Sequence, residues 1–303
     1  FMRWIILLYH NISWEDNAFT RGIGGTCSPD LFERQVKQVK KYGDLVSVNQ
    51  GLELSSKEKS KSTIFSFWFD DGFSGVRKYA LPILKNNGVT GAVSICSKFI
   101  NRDELFWRSK LSYIESVDGM RLLRSSLKKT GFHIESQLKK IKNFTMDNFS
   151  DEILLIIEQI YNRLSNEIIR EQAFGIFENI DGLKILKNNN WIIANHSASH
   201  YPVSEDSYID HFFDEYIKCD RFIEEYLEIN NPFWVLPFDR KSKRSKKVDT
   251  IFDNLNTNKF LVNVGKKINH KHNIDSKRLF RFGAHITDNT DFQKFINGIV
   301  NKK

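Results

Sequence analysis

Cysteine is scarce in this chain. Three occur in 303 residues, Cys27, Cys96 and Cys219, an odd number at wide spacing. With no CxxC pair and no Cys/His knuckle, neither a disulfide framework nor a structural zinc ribbon is indicated, and a reducing compartment fits. Long apolar runs are missing as well. The opening "RWIILLYH" turns polar after a few residues, too soon for a signal-peptide core or a bilayer span. It reads as a first core strand, with Met2 as the start and Phe1 an extra residue ahead of it, and it predicts a cytoplasmic protein. Aromatic residues are not interleaved with the basic ones, which argues against a single-stranded nucleic-acid groove and against nucleic acid as a partner.

What remains is an ordinary soluble composition, 41% hydrophobic and 27% charged, long enough to bury a full core. Phenylalanine is abundant, 25 residues, which suits a packed interior or a stacking surface for sugars. The net charge of +8 is concentrated in "SSKEKSKS" (55–62) and "RKSKRSKK" (240–247), read as solvated loops. Their alternative use is weak association with an anionic substrate or a membrane surface.

Strand and helix patterns alternate along the chain. A strand at 3–9 leads through a Gly-rich turn to "SPDLFERQVKQVKKYG", an amphipathic helix with Pro29 in its first turn and Gly43 at its end. "LVSV" is a short strand, 63–69 a buried one, "GVRKYALPILKNNG" a helix, and "VTGAVSIC" a strand. From about 108 to 175 the rhythm gives way to a polar, Lys-rich helical stretch, read as an insertion. It then resumes with a helix at "DGLKILKNNN", the strand "WIIAN", a long helix over 206–229, strands "FWVLPFD" and "FLVNVG", and a closing helix from "TDFQKF". Short links of this kind predict βα units around a parallel sheet or barrel, with 1–303 forming one domain.

The strand "STIFSFWF" ends in "DDG", placing Asp70 and Asp71 side by side. Adjacent carboxylates resist joint ionisation unless a cation or proton lies between them. After the strand "WIIAN" comes "NHSASH", where His196 and His200 share a face if a helical turn begins there. Two imidazoles and one carboxylate, with positions left for water, describe a catalytic site for a divalent metal ion. The second carboxylate can then stay charged and take a proton from water. The residues alone do not divide these two roles between the aspartates. Both clusters sit at the carboxyl ends of strands, which gather at one rim in such folds.

These features resemble the polysaccharide deacetylase family, the NodB-homology carbohydrate esterases. "FDDG" (69–72) matches its first motif and "HSASH" (196–200) its second, with Pro202 following. The opening "LLYHNIS", the helix "SPDLFERQVKQV" and "ALPILKNNGVTGAVSI" are similar to its Tyr-His-starting branch. The likeness covers about 5–105 and 181–285 and leaves the insertion outside. It implies a distorted (β/α) barrel of fewer than eight strands. It also implies Asp70 as catalytic base, Asp71, His196 and His200 as ligands of one divalent ion, zinc by expectation, and hydrolysis of an N-acyl group on an amino sugar or glycan.

The third family motif corresponds to "VLPFD" (235–239): Pro237 and Phe238 fit, Val235 replaces an arginine that orients the base, and Asp239 replaces a glycine. These pocket residues are expected to contact substrate, and Trp107 is a further candidate to face a sugar ring. Arg281, in "LFRFG", resembles a late-motif arginine and could pair with an active-site carboxylate. Two histidines compete as acid for the leaving amine, His10 at the end of the first strand and His285 in "RFGAHITD". His133, His211, His270 and His272 are expected in solvent, and Trp68, Trp107, Trp191 and Trp234 in the core, with the sugar face as the alternative for Trp107. The function expected is N-deacetylation in surface-polysaccharide biosynthesis. The alternatives are a deformylase or other amide hydrolase on a nucleotide- or lipid-linked sugar, and a non-catalytic glycan-binding domain.

Overall fold

The first apolar run, Arg3–Tyr9 (β1), and the third, Thr63–Phe69 (β3), are buried on both faces. That is what a parallel strand covered by helices on one side and by barrel interior on the other requires. Trp4 and Ile6 of β1 and Ile64 and Trp68 of β3 point into one cluster. Ile5, Leu7, Tyr9, Phe65, Phe67 and Phe69 point into another, shared with Leu31, Phe32, Val36 and Val39 of the helix Pro29–Val39.

This computed structural model describes residues 2–57, 62–132, 137–203, 211–238, 247–255, 257–265 and 267–301. Among them, six further strands follow the same direction: Asp44–Leu45 (β2), Ala92–Ile95 (β4), Ile192–Asn195 (β5), Phe233–Val235 (β6), Phe260–Val264 (β7) and Arg278–Gly283 (β8). Seven close a parallel barrel in the order β1-β3-β4-β5-β6-β7-β8, β8 returning to β1. β2 stands outside the ring. It pairs with Ile64 and Phe65, low on β3, whereas β4 joins only at Trp68 and Phe69. The barrel therefore has fewer than eight strands, as the family resemblance implies.

Three local readings change. "LVSV" is a strand only at Asp44–Leu45, and Val48–Lys57 is a helix that runs into the first basic tract and buries Ser55. Gly51 hides that helix from the eye. A glycine is a poor helix former, but here a Cβ would meet the Trp4 ring at 2.3 Å. The helix after β3 begins as a π-helical turn, Val76–Ala80, before Leu81–Asn86. Pro82 has no N–H to bond four residues back, and Leu81 bonds instead to the Val76 carbonyl. Finally, His270 is half-buried, bonded to the Met2 carbonyl and capping the short helix Lys271–Asp275. The second basic tract lies outside the described residues up to Lys247, which opens the helix Lys247–Asn254. His133 also lies outside them.

Between β4 and β5 the chain forms the helices Trp107–Ser116, Met120–Lys129, Leu138–Asp147, Asp151–Leu164 and Glu167–Phe174. Their apolar faces (Leu111, Ile114, Leu123, Ile153, Ile157) join the cluster on the outer face of the barrel. Lys110, buried, is paired with Glu158 across two of them. The first of these helices starts at the rim, and that brings it to the site.

Candidate active site

Asp70 and Asp71 follow β3 directly. The Asp70 amide bonds to the Tyr9 carbonyl at 3.0 Å, so the ladder holds one residue beyond the strand. Asp71 then takes a left-handed φ of 71°, as does Gly72. A bulkier residue rarely tolerates this conformation, and such strain concentrates at functional sites. It turns the two carboxylates, both buried, toward the mouth of the barrel.

His196 and His200 are brought together by a loop and not by a helical turn. Ser197 and His200 are left-handed, φ 69° and 56°. The loop is held by its own polar groups. Asn195 accepts from the Ser197 amide at 2.8 Å, Ser197 Oγ accepts from the His200 amide at 3.0 Å, and Glu215 accepts from the Ser199 amide at 2.7 Å. Asp220 in turn accepts from Asn195 at 2.8 Å. The imidazole rings end 4.6 Å apart and almost perpendicular.

Asp71, His196 and His200 offer ligand atoms within 4.8 Å of one another. Oδ1 of Asp71 lies 3.4 Å from His196 Nε2 and 3.0 Å from His200 Nε2. The donor set fits a cation. His196 Nδ1 donates to the Val235 carbonyl at 3.0 Å, which leaves the Nε2 lone pair facing the carboxylates, the arrangement that metal-ligating histidines use. Asp71 Oδ1 is buried and accepts no hydrogen bond among the described residues. Burial and the neighbouring His196 and Arg108 hold His200 down at about 4, against the pull of Asp71, so its ring is neutral and available. Burial lowers His196 too, but Asp70 and Asp71 outweigh it and its pKa rises.

Asp70 is tied elsewhere. Arg281, fully buried on β8, puts Nη1 2.5 Å from Asp70 Oδ1. Burial alone would raise the Asp70 carboxyl, yet Arg281, His196 and His10 leave it below its ordinary value. Asp70 Oδ2 sits 3.7 Å from His196 Nε2, on the cation side. Ser94 of β4 also donates to Asp70 Oδ1.

His10 and His285 are not alternatives in space. They sit at the ends of β1 and β8, with His10 Nδ1 2.8 Å from His285 Nε2. Gly25, at φ 89°, runs beside them; a Cβ there would meet His285 Nδ1 at 3.4 Å. Both rings line a cavity of about 430 Å³ with Asp70, Asp71, His196 and His200.

That cavity is also walled by Phe106, Arg108 and Phe238. Phe238 packs edge-on to His200 at 4.4 Å, and the Arg108 guanidinium lies 4.2 Å from its ring centre. Trp107 is buried behind this wall, 5.8 Å from Phe238, and does not line the cavity. Pro237 borders a smaller neighbouring pocket, and Asp239 lies outside the described residues.

No protein-family model matches this sequence, and no curated protein matches it. Solved structures do. A Streptococcus pyogenes deacetylase, PplD, in complex with acetate matches with TM-score 0.61 and 16% identity over 98% of each chain. IcaB from Ammonifex degensii gives 0.60 and 11% over 98% of this chain and 97% of that one. A de-N-acetylase from Aggregatibacter actinomycetemcomitans gives 0.60 and 14% over 97% and 99%. The fold is that of the NodB-type polysaccharide deacetylases. The matched spans take in the helices between β4 and β5, which the sequence motifs had left outside the likeness.

On this deacetylase fold, sequence motifs found the two aspartates, the two histidines, Arg281 and both rim histidines. They missed Ser94, Arg108 and the Val235 carbonyl. A serine inside an apolar strand is the only trace of the first. A backbone carbonyl leaves none.

Proposed function

We propose that this protein is a metal-dependent hydrolase that removes an N-acyl group, acetyl in the first instance, from an amino sugar or glycan of surface-polysaccharide biosynthesis. The observation that carries this reading is a second buried carboxylate, Asp70, set beside a complete Asp-His-His cation site but engaged by Arg281. A binding module has no use for an ionised base next to its metal. The printed names of the matched structures, a deacetylase with acetate and a de-N-acetylase, support the same chemistry.

Asp71, His196 and His200 would hold the ion, zinc by our reading. When bound, it would polarise the acyl carbonyl and make water acidic enough to attack at neutral pH. The chain's own groups do the rest. Asp70, kept charged by Arg281, accepts the proton of the attacking water through Oδ2. Phe106, Phe238 and the Arg108 stem wall the cavity and limit water entry. The His10–His285 pair returns a proton to the departing amine, which leaves as a neutral molecule only if protonated.

Asp71 and Asp70 thus divide ligand and base. No helix among the described residues is long and apolar enough to cross a membrane. All three cysteines are unpaired and buried, and we place the chain in the cytoplasm, where thiols stay reduced. The test is a screen of N-acetyl and N-formyl amino sugars, free, nucleotide-linked and oligomeric, with acid release as the signal. Acetate release supports the reading, formate release alone shifts it to a deformylase, and metal binding with no acid released from any of them refutes it.

A further inference from the structure

Strand β4 reads Ala92-Val93-Ser94-Ile95, and all four residues are buried. Ser94 is the one polar side chain in it and is fully enclosed, so its hydroxyl must find partners within the protein. It has two that matter. Trp68 Nε1 lies 3.3 Å from Ser94 Oγ, and Asp70 Oδ1 is within short hydrogen-bond reach. An indole N–H can only donate. It therefore occupies a lone pair of Oγ, and the hydroxyl proton is directed away from it. The Phe69 carbonyl, 3.4 Å away, is the competing acceptor. A nearer, ionised carboxylate wins that competition.

Asp70 Oδ1 thus receives two donors from two strands, Ser94 Oγ from β4 and Arg281 Nη1 from β8. The guanidinium of Arg281 also lies 5.4 Å from the centre of the Trp68 ring, a face contact that a phenyl ring can make as well. With Oδ1 held on two sides, the carboxylate cannot swing about its Cβ–Cγ bond. Oδ2 is left pointing at the cation side, 3.7 Å from His196 Nε2. We infer that Ser94, backed by Trp68, is a positioning residue that locks the Asp70 carboxylate with Oδ2 toward the attacking water. Ser94 does not line the cavity and acts only through Asp70.

The barrel contains its own control. Trp4 Nε1 donates to Ser66 Oγ at 2.9 Å, the same Trp-to-Ser contact. Ser66 passes its proton to the Val46 carbonyl at 2.9 Å, and no carboxylate is involved. A Trp–Ser pair is therefore a way of filling this barrel, and what distinguishes Ser94 is where its proton ends.

This inference rests on Asp70 being the base, and the experiment separates the two claims. Acyl release is measured for the wild type, Ser94→Ala, Ser66→Ala, Trp68→Phe and the Trp68→Phe/Ser94→Ala double variant, each loaded with zinc and assayed for metal content. Ser94→Ala is expected to lower kcat roughly ten- to hundredfold, the value of a hydrogen bond to a charged group, with KM and metal content unchanged. Ser66→Ala should keep the wild-type kcat. Trp68→Phe should lower kcat in the wild-type background and add nothing in the Ser94→Ala background, since its indole then has no hydroxyl to orient. An active wild type beside an unimpaired Ser94→Ala overturns the positioning role and leaves the hydrolase reading intact. So does an equal loss in Ser66→Ala, or a loss of kcat that tracks loss of metal. A wild type that releases no acyl group overturns both. Should Ser94→Ala not fold, Ser94→Cys keeps the volume with a poorer donor and is judged by the same outcomes.

Discussion

Arg281 and Asp70, 211 positions apart in sequence, form a buried ion pair with Nη1 2.5 Å from Oδ1. Two consecutive facts of the fold produce it. β8 pairs with β1, Ile6 opposite Arg281, and β1 pairs with β3, whose ladder continues to Asp70. Position 235 is a valine, and the cation beside Asp70 comes from Arg281 on β8. Its Nε and Nη2 have no hydrogen-bond partner among the described residues, so the pair is the main compensation for burying that charge.

Removing one member should therefore be costly. Arg281→Leu is expected to lose about 3–5 kcal/mol of stability, the usual result of leaving a buried charge uncompensated. The loss should depend on pH. Arg281 holds Asp70 below its ordinary value, near ~3.9, so the pair's contribution is present above that value and fades as pH falls through the lowered one. The gap between wild type and Arg281→Leu in urea denaturation should be widest near neutrality and narrow toward acid. A gap that does not change with pH would show that packing, not the ion pair, is what was lost.

The cation site predicts a linked pattern. Chelation should lower Tm and zinc should restore it, since ligand at a hundredfold excess over its Kd adds about 2.7 kcal/mol. His200→Ala should reduce metal content because one of three protein ligands is gone. Affinity should also weaken as pH falls: Asp70 and Asp71 raise the pKa of His196, so a proton competes for the same Nε2. Equal zinc binding by wild type and His200→Ala would contradict the site.

Asp70→Asn and Asp71→Asn should behave differently although they differ by one position. The first keeps metal and loses activity by roughly 10²–10⁴, the range for a general base. The second loses metal first, because a neutral amide is a poor ligand and Asp71 Oδ1 touches both histidines. Metal analysis beside acid release decides it, and exchanged phenotypes would reverse the two roles.

Much of this is legible in the sequence. The βα rhythm showed where strands end, and rim placement follows from parallel topology, so Asp70, Asp71, His196 and His200 could be grouped from strand ends alone. What escaped was whatever depends on closure. That β3 sits beside β1, and β8 beside β1, determines which strand supplies Asp70 with its cation and which histidines touch. The left-handed turns at Ser197 and His200 are equally silent in sequence, because serine and histidine do not announce φ as glycine does. Trp107 takes the core place and not the sugar-facing one that the sequence also allowed. In "LFWRSK" three neighbouring large residues could each face the cavity, and only the helix start puts Phe106 and Arg108 there and Trp107 behind.

Gly51 makes the same point testable. On propensity alone, Gly51→Ala in the helix Val48–Lys57 should stabilise by up to about 1 kcal/mol. The Trp4 ring, 2.3 Å from the new Cβ, reverses the sign. Overpacking of this kind costs about 1–3 kcal/mol. Thermal denaturation should show a lower Tm, and a higher one would mean that the floor of the barrel can yield.

The final prediction concerns the proton given to the leaving amine. His10 and His285 share one hydrogen bond, so one of the pair must act through the other. The neighbours of His285 favour one tautomer. Its Nδ1 lies beside the Gly25 backbone, which favours a proton on that nitrogen, while Nε2 faces His10. With the proton on Nδ1, Nε2 can accept from His10 Nδ1–H. Desolvation by the cavity wall, then the nearby His10, lower the affinity of His285 for a second proton, even though its ring edge is open to solvent. The ring nitrogen of the pair left to face the cavity is then His10 Nε2, and a proton passed to the amine leaves from there. His10→Ala should lose most amide hydrolysis and keep its metal. It should retain more activity on an activated ester, whose leaving group scarcely needs a proton. His285→Ala should lose less, because it only orients the His10 ring. Comparing amide and ester rates for both variants checks this, and a selective amide loss confined to His285→Ala would transfer the role of acid to His285.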